Sequence, residues 1–127
     1  ELSLNNRTKI LGFVPKNDLV AIYNLAAVYC QPSFCEGFGL PVLEAMACGT
    51  PVVAANASSL PEICGDAAVM VNPRNIESIA QGIKRAIEDK KFSEDLSKRG
   101  FRQARKFSWE KTAQETINVY HEVVKRK

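Results

Sequence analysis

The sequence predicts an α/β fold in which helices cover both faces of a parallel β-sheet. Two observations carry this prediction. Between residues 9 and 71, short apolar runs alternate with stretches that have helical spacing. After residue 73 the spacing is helical only. Strands that alternate with helices in short units pair in parallel and are buried on both faces.

The first units of this pattern are a strand, a helix and a second strand. The β-branched run Lys9 to Val14 predicts a strand that ends at Pro15. A helix is expected next, capped by Asn17 or Asp18. Its core-facing side would carry Leu19, Ile22, Tyr23 and Ala26. A short apolar strand, Val28 to Gln31, follows.

The central units are predicted in the same way. A helix is expected over Leu40 to Ala47, with Pro41 suited to its first turn. Gly49 can adopt the left-handed conformation that ends this helix. Val52 to Ala54 form the next buried strand, and a short piece around Pro61 to Ile63 leads onward.

The last strand is expected over Ala68 to Val71, and three helices close the chain. The first presents a core-facing stripe of Ile76, Ile79, Ala80, Ile83 and Ile87. The others cover residues 91 to 106 and 108 to 125, and Ser108 caps the last one. Trp109 is expected to anchor that helix in the core, and Ile117, Tyr120 and Val124 to form an apolar face for another domain.

Composition indicates one domain over residues 1 to 127, because 127 residues that are 46% hydrophobic suffice for one modest core. No signal peptide and no membrane span is recognisable, so a soluble, cytoplasmic chain is expected. The four cysteines lack zinc-site spacing and are expected to be reduced. Residues 82 to 127 carry thirteen Lys and Arg against seven Asp and Glu. Solvated helix faces explain this excess, and weak attraction to anionic lipids is the second interpretation.

Glu44 is the single charged residue in the otherwise uncharged helix Leu40 to Ala47. A helix that is apolar on every side is expected to be buried. A buried carboxylate costs several kcal/mol unless hydrogen-bond donors replace its water. Either a local donor or a bound ligand must therefore satisfy Glu44.

The segment before Glu44 predicts a phosphate site. Gly37 and Gly39 bracket Phe38 where a strand ends and a helix begins, so backbone amides can approach a ligand closely. The first amides of a helix lack internal partners and favour phosphate. A nucleoside diphosphate fits this edge of the sheet. Glu44 would accept hydrogen bonds from ribose hydroxyls, and Glu36 from sugar hydroxyls.

Two other chemistries fit these residues poorly. Eight positions separate Glu36 from Glu44, which places them on the order of 10 Å apart by helical rise, whereas a retaining glycosidase pair lies about 5 Å apart. Gly37 and Gly39 have no third glycine at the spacing of a dinucleotide-binding loop.

The stretch Pro32 to Val53, PSFCEGFGLPVLEAMACGTPVV, resembles the retaining two-domain glycosyltransferases of family 4. Glu36 and Glu44 match their signature of two glutamates separated by seven residues. Gly12 to Pro15, Ser59 to Glu62 and Phe107 to Trp109 match further blocks in order. The resemblance implies a Rossmann-like fold, as the second half of the C-terminal, donor-binding domain of a GT-B enzyme, closing with C-terminal helices.

The resemblance also implies roles for particular residues. The donor would be a nucleoside-diphosphate sugar such as GDP-mannose or a UDP-sugar, transferred with retention and without a metal or cofactor. Glu36 would be the catalytic residue near the reacting centre. The substrate-binding residues would be Val14 at the base, Gly37, Phe38, Gly39 and Leu40 at the sugar and diphosphate, and Glu44 at the ribose.

The chain departs from the family where other groups are needed. The family has an Arg and a Lys that clamp the diphosphate, and Arg7 and Lys9 do not match their positions. No part of this sequence matches the family's N-terminal acceptor domain, which often carries a catalytic histidine. His121 on the last helix is expected at the surface. Such a partial domain would be inactive alone, would need that acceptor domain as its partner, and would not bind nucleic acid. A non-catalytic nucleotide- or sugar-binding module, a nucleotide-sugar epimerase and a plain interaction domain stay open as alternatives.

Overall fold

In a computed structural model, which describes residue 4 and residues 6 to 126, the protein is an α/β structure with a three-stranded parallel sheet in the order β1-β2-β3. The elements are α1 (Lys16–Leu25), β1 (Tyr29–Gln31), α2 (Leu40–Ala47), β2 (Val52–Ala55), α3 (Leu60–Cys64), β3 (Val69–Val71), α4 (Ile76–Glu88), α5 (Lys90–Ala104) and α6 (Trp109–Lys125). The α/β fold with its parallel sheet is confirmed.

Strand β2 lies at the centre of the structure, and all four of its residues are buried. Its residue Val53 pairs with Cys30 on one side and Val69 on the other. One face of the sheet packs against α1, α2 and α3, whose buried side chains include Tyr23 and Met46. A second cluster, formed by Val53, Val71, Ala86 and Leu96, lies under α4 and α5. Helices therefore cover both faces, as the uniformly apolar strands predicted.

Helix α5 contacts both α2 and the end of α3. Gly100 packs against Met46 of α2, and the Ser97 hydroxyl donates to the carbonyl of Gly49, just after α2. The buried amide of Gln103 donates to the Ile63 carbonyl of α3 at 2.7 Å. These polar contacts satisfy helix-end carbonyls that would otherwise have no partner, so α2 is fixed at its carboxyl end.

Local signals at helix ends have mixed outcomes. Gly49 has a φ of 78°, the left-handed conformation expected after α2, and Ser108 caps α6 by accepting from the Lys111 amide at 3.1 Å. The predicted cap of α1 is wrong. That helix begins at Lys16, directly after Pro15, and has no side-chain cap hydrogen bond. Asn17 and Asp18 lie inside its first turn, so neither occupies the N-cap position.

The predicted strand over Lys9 to Val14 is also wrong. This segment contains no strand, and Ile10 and Phe13 are each 93% exposed. A β-branched run becomes a strand only when another strand supplies ladder hydrogen bonds. Among the described residues β1 pairs with β2 alone, so no strand pairs with this run.

The stripe predicted for α4 is only partly correct. Ile79 and Ile83 pack against the sheet, but Ile76, Ala80 and Ile87 are exposed. The buried positions of the helix are instead Gly82 and Ala86. Because these residues are small, α4 packs close to the sheet, and Ile76 and Ile87 at the edges of the stripe face solvent.

Helix α6 is exposed along its length, and none of its described residues is buried. Trp109 is 73% exposed, so its predicted role as a core anchor is wrong. The predicted apolar side is present, since Ile117, Tyr120 and Val124 are all exposed. None of the helices in the described ranges is long and apolar enough to cross a membrane.

Gly82 provides a test of this packing. A Cβ at this position would lie 2.5 Å from Cγ1 of Val71 and 3.3 Å from Cγ1 of Val53. Valine side chains are stiff, so the clash outweighs the gain of about 1 kcal/mol that alanine brings to a helix. We expect Gly82→Ala to lower the free energy of unfolding by about 1 to 2 kcal/mol in urea titrations. Exposed Lys84→Ala, the control, should change it by less than about 0.5 kcal/mol.

Candidate functional site

The candidate site lies at the carboxyl edge of the sheet, where β1 and β2 both end. Strand β1 leads through residues 32 to 39, here called the glutamate loop, into α2. Strand β2 leads through a turn that contains Ser58 and Ser59 into α3. Because the strands are parallel, the glutamate loop and this serine turn meet at one edge.

Two serine hydroxyls hold the glutamate loop by its backbone. The Ser58 hydroxyl donates to the Glu36 carbonyl at 2.8 Å and accepts from the Glu36 amide at 3.2 Å. The Ser59 hydroxyl donates to the Phe38 carbonyl at 2.7 Å. Ser58 has a φ of 54°, a conformation that costs a non-glycine residue free energy. The turn is therefore held in a strained shape that directs both hydroxyls at the loop.

These bonds determine the direction of the neighbouring amides. In a trans peptide the carbonyl and the following N–H point in opposite directions. Since the carbonyls of Glu36 and Phe38 face the serines, the amides of Gly37 and Gly39 face away from them. Within the described chain, the amides of residues 37 to 40 donate to no protein acceptor. A row of free donors thus precedes the positive end of α2, which is an arrangement that favours anions.

The two glycines of the loop serve different purposes. Gly39 has a φ of 115°, and a Cβ there would lie 2.9 Å from Cδ2 of Leu60, so both backbone and packing require glycine. Gly37 has no such φ, and a Cβ there would meet no atom within 4 Å. Its missing side chain leaves open space over the free amides.

Glu36 is half-buried, and its carboxylate accepts from Nε2 of Gln31 at 2.6 Å. Hydrogen bonds from the side chains of Ser33 and Gln31 lower the pKa of Glu36, because both stabilise the charged form. The group is therefore an ionised acceptor at neutral pH. Glu36 is also fixed at its backbone by Ser58, so its position is determined from both ends.

Glu44 is exposed, which corrects the prediction that its helix is buried on every side. The buried residues of α2 are Val42, Leu43, Ala45 and Met46. Residues 40, 41, 44 and 47 form a solvent-facing stripe at helical spacing. Water therefore reaches Glu44, and among the residues that the structure describes its one side-chain partner is the Tyr23 hydroxyl, which donates at 3.3 Å.

The exposed stripe has an unusual composition, because apart from Glu44 it is apolar. Leu40 is 45% exposed, and Phe38 beside it is 44% exposed. The ring of Phe38 rests edge-on against Phe107, with centroids 6.0 Å apart. Phe38 therefore packs on the protein and also borders the open space next to Gly37.

Val14 stands apart from these residues. It is half-buried and precedes α1, and it takes part in none of the hydrogen bonds that hold the glutamate loop. Among the described residues no cluster of His, Cys, Asp and Glu can hold a metal ion. Glu36 and the free amides thus lie in the same loop, and Glu44 lies on the exposed side of the helix α2 that follows it.

The prediction from sequence missed Tyr29, Gln31, Ser58 and Ser59. Ser58 and Ser59 bond to the glutamate loop from a distant part of the sequence, Gln31 bonds to Glu36 from the end of β1, and Tyr29 bonds to Gln31 within β1. Gln31 carried the one available signal, since it is an amide at the end of an otherwise apolar strand.

Comparisons with known proteins converge on one family. The profile described as "Glycosyl transferases group 1" matches residues 1–103. The "O-antigen chain mannosyltransferase B" of Escherichia coli is 46% identical over 112 residues, which cover 88% of this chain and 29% of that protein. The "MMP alpha-(1->4)-mannosyltransferase" of Mycolicibacterium hassiacum is 34% identical, with 99% and 32% covered.

A solved structure agrees with these relatives. Sucrose-phosphate synthase from Thermosynechococcus elongatus superposes with a TM-score of 0.86 at 30% identity. The match covers 98% of this chain and 32% of that one. The chain therefore spans about a third or less of the length of these relatives.

The two loop glycines give a matched pair of variants. We expect Gly39→Ala to lower the free energy of unfolding by about 1 to 3 kcal/mol, because it adds backbone strain and a clash with Leu60. Gly37→Ala should change it by less than about 0.5 kcal/mol, since its Cβ enters open space. Urea unfolding of both variants measures this, and equal losses would contradict the assignment of distinct roles.

Proposed function

The chain belongs to the group 1 glycosyltransferases, and on that basis we propose that it binds the nucleoside-diphosphate sugar donor of a GT-B enzyme that transfers the sugar with retention. The finer assignment to the retaining family 4 rests on the spacing of Glu36 and Glu44. The observation that supports donor binding most strongly is the row of free amides at residues 37 to 40, with one carboxylate on each side.

The diphosphate occupies the free amides in this proposal. Four unpaired N–H groups at a helix start complement the charge of a phosphate, and they are fixed before the ligand arrives. Charge builds up on the diphosphate as the glycosidic bond breaks, so preorganised donors there stabilise the transition state. Open space at Gly37 admits the ligand to these donors. The chemistry requires neither a metal nor a cofactor.

The two glutamates hold the two sugars of the donor. Glu36 is an ionised acceptor beside the amides, and it receives hydroxyls of the transferred sugar near its anomeric carbon. Glu44 lies further along α2, where its solvent-facing carboxylate receives the ribose hydroxyls. Phe38 and Leu40 border the sugar and diphosphate, and Val14 lies near the base.

The donor is a mannosyl nucleotide such as GDP-mannose, with a UDP-sugar as the alternative. This choice rests on the mannosyltransferases among the relatives. Polysaccharide synthesis is the corresponding process, because one of these relatives carries the name of an O-antigen enzyme.

Catalysis needs groups beyond this site. An acceptor domain and cations that clamp the diphosphate belong to the whole enzyme in this proposal, and they exclude water and align the substrates. The chain by itself binds donor without turning it over. We place the enzyme in the cytoplasm, where the basic helices after residue 82 permit peripheral contact with anionic membranes.

Donor binding is tested by titrating the chain with UDP, GDP, ADP and their sugar conjugates while amide signals are followed by NMR. We expect the amides of residues 37 to 40 to shift. Glu44→Gln should lower the affinity for nucleotides and for their sugar conjugates alike by about tenfold, because it removes a charged acceptor at the ribose. Glu36→Gln should lower the affinity for the sugar conjugates alone, since free nucleotides lack the sugar that Glu36 binds.

Glu88→Gln is the control, because Glu88 is exposed at the end of α4 and pairs only loosely with Lys84, at 3.9 Å. It should leave every affinity unchanged. Shifts that avoid residues 37 to 40, or that are indifferent to both Glu36 and Glu44, would rule out this site for the donor.

A further inference from the structure

We propose that Gln31 and Tyr29 are positioning residues that hold the carboxylate of Glu36 in one orientation for the donor sugar. The ring of Tyr29 packs against that of Tyr23, and the Tyr23 hydroxyl donates to Glu44 at the ribose end. The proposal rests on the proposed function for the identity of the ligand. Its geometric part concerns Glu36 in the protein without ligand.

Gln31 is the link between the sheet and the glutamate loop. It is the last residue of β1 and is buried. Its Nε2 donates to Oε1 of Glu36 at 2.6 Å, and its Oε1 accepts from the Tyr29 hydroxyl at 2.6 Å. Buried amides need partners at both ends, and Gln31 has both. A rigid strand therefore fixes the carboxylate of a loop residue.

Tyr29 and Glu36 together fix the orientation of the Gln31 amide. The two ends of a glutamine amide have nearly the same shape, so its partners decide the orientation. Burial raises the pKa of Tyr29 above its ordinary value, and its hydroxyl is therefore a donor at neutral pH. A donor at Oε1 of Gln31 leaves Nε2 for Glu36. Without that donor Oε1 of Gln31 loses its partner, and the amide is held in place by Glu36 alone.

Tyr23 extends the arrangement to the second glutamate. Its ring meets Tyr29 edge to face, with centroids 5.6 Å apart and planes at 77°. Its hydroxyl donates to Oε2 of Glu44, and burial followed by the charge of Glu44 raises the pKa of Tyr23 to about 12. The two rings thus pack edge to face, and each hydroxyl serves one end of the site.

The consequence for binding is orientation before the ligand arrives. Gln31 and Ser33 each occupy one lone pair of the Glu36 carboxylate, and the remaining lone pairs are left for sugar hydroxyls. A carboxylate that is already fixed loses less side-chain entropy on binding. Loss of Gln31 should therefore weaken the sugar contact and leave the diphosphate contact intact.

The test compares Gln31→Leu, Tyr29→Phe and the double variant in two measurements. The first is the pKa of Glu36 from the carboxyl ¹³C shift, without ligand. We expect it to rise in Gln31→Leu and, to a smaller extent, in Tyr29→Phe. The second is affinity by NMR titration. Gln31→Leu should lower the affinity for the nucleoside-diphosphate sugar by about tenfold, because Glu36 loses a charged hydrogen bond that orients it. The affinity for the nucleoside diphosphate should be unchanged.

The double variant separates positioning from packing. If Tyr29 acts through Gln31, the double variant matches Gln31→Leu in both measurements. The double variant also leaves no hydroxyl without an acceptor. If Gln31→Leu alone fails to fold, the pKa of Glu36 and the affinities are therefore measured in the double variant and compared with the wild-type protein. Tyr120→Phe, on the exposed helix α6, is the control and should change neither measurement.

Each failure has its own signature. An unchanged pKa of Glu36 in Gln31→Leu and the double variant would overturn the positioning role, while donor binding by the wild-type protein would still stand. Additive effects of the two substitutions would overturn the role of Tyr29. If the wild-type protein binds no nucleotide at millimolar concentration, the proposed function fails, and the role of Gln31 toward the donor sugar fails with it.

Discussion

The hydrogen bonds from Ser58 and Ser59 to the backbone of the glutamate loop are the constraint on which the site depends. They turn the carbonyls of Glu36 and Phe38 toward the protein, and planar trans peptides then turn the next amides outward. Without these bonds the loop would satisfy its amides internally or with water in many conformations. The free donors before α2 are thus a consequence of the turn after β2, a neighbouring strand.

A second set of contacts fixes side chains as the serines fix the backbone. Gln31 reaches Glu36 from β1, and Tyr23 reaches Glu44 from α1. The parallel sheet brings these elements to one edge, so a rigid core positions groups that lie in a loop and on an exposed helix face. The exposed Phe38 and Leu40 leave the site with an apolar rim.

Much of this arrangement follows from local sequence. The bounds of α2, the left-handed Gly49 and the cap at Ser108 depend on neighbouring residues, and all three were predicted correctly. The strand expected at Lys9 to Val14 depends on a partner strand, which local sequence does not reveal. The exposure of Glu44 and the contacts of Gln31 likewise depend on which elements pack together, so local sequence does not reveal the partners of the candidate site residues.

A crystal structure of the protein with a bound nucleoside-diphosphate sugar tests the central claim most directly. The account predicts phosphate oxygens within hydrogen-bond distance of the amides of residues 37 to 40, ribose hydroxyls at Glu44 and sugar hydroxyls at Glu36. It also predicts that the bonds from Ser58 and Ser59 to the loop are unchanged by the ligand. A nucleotide bound elsewhere, or a glutamate loop rebuilt around the phosphates, would contradict the claim that this edge is a preformed donor site.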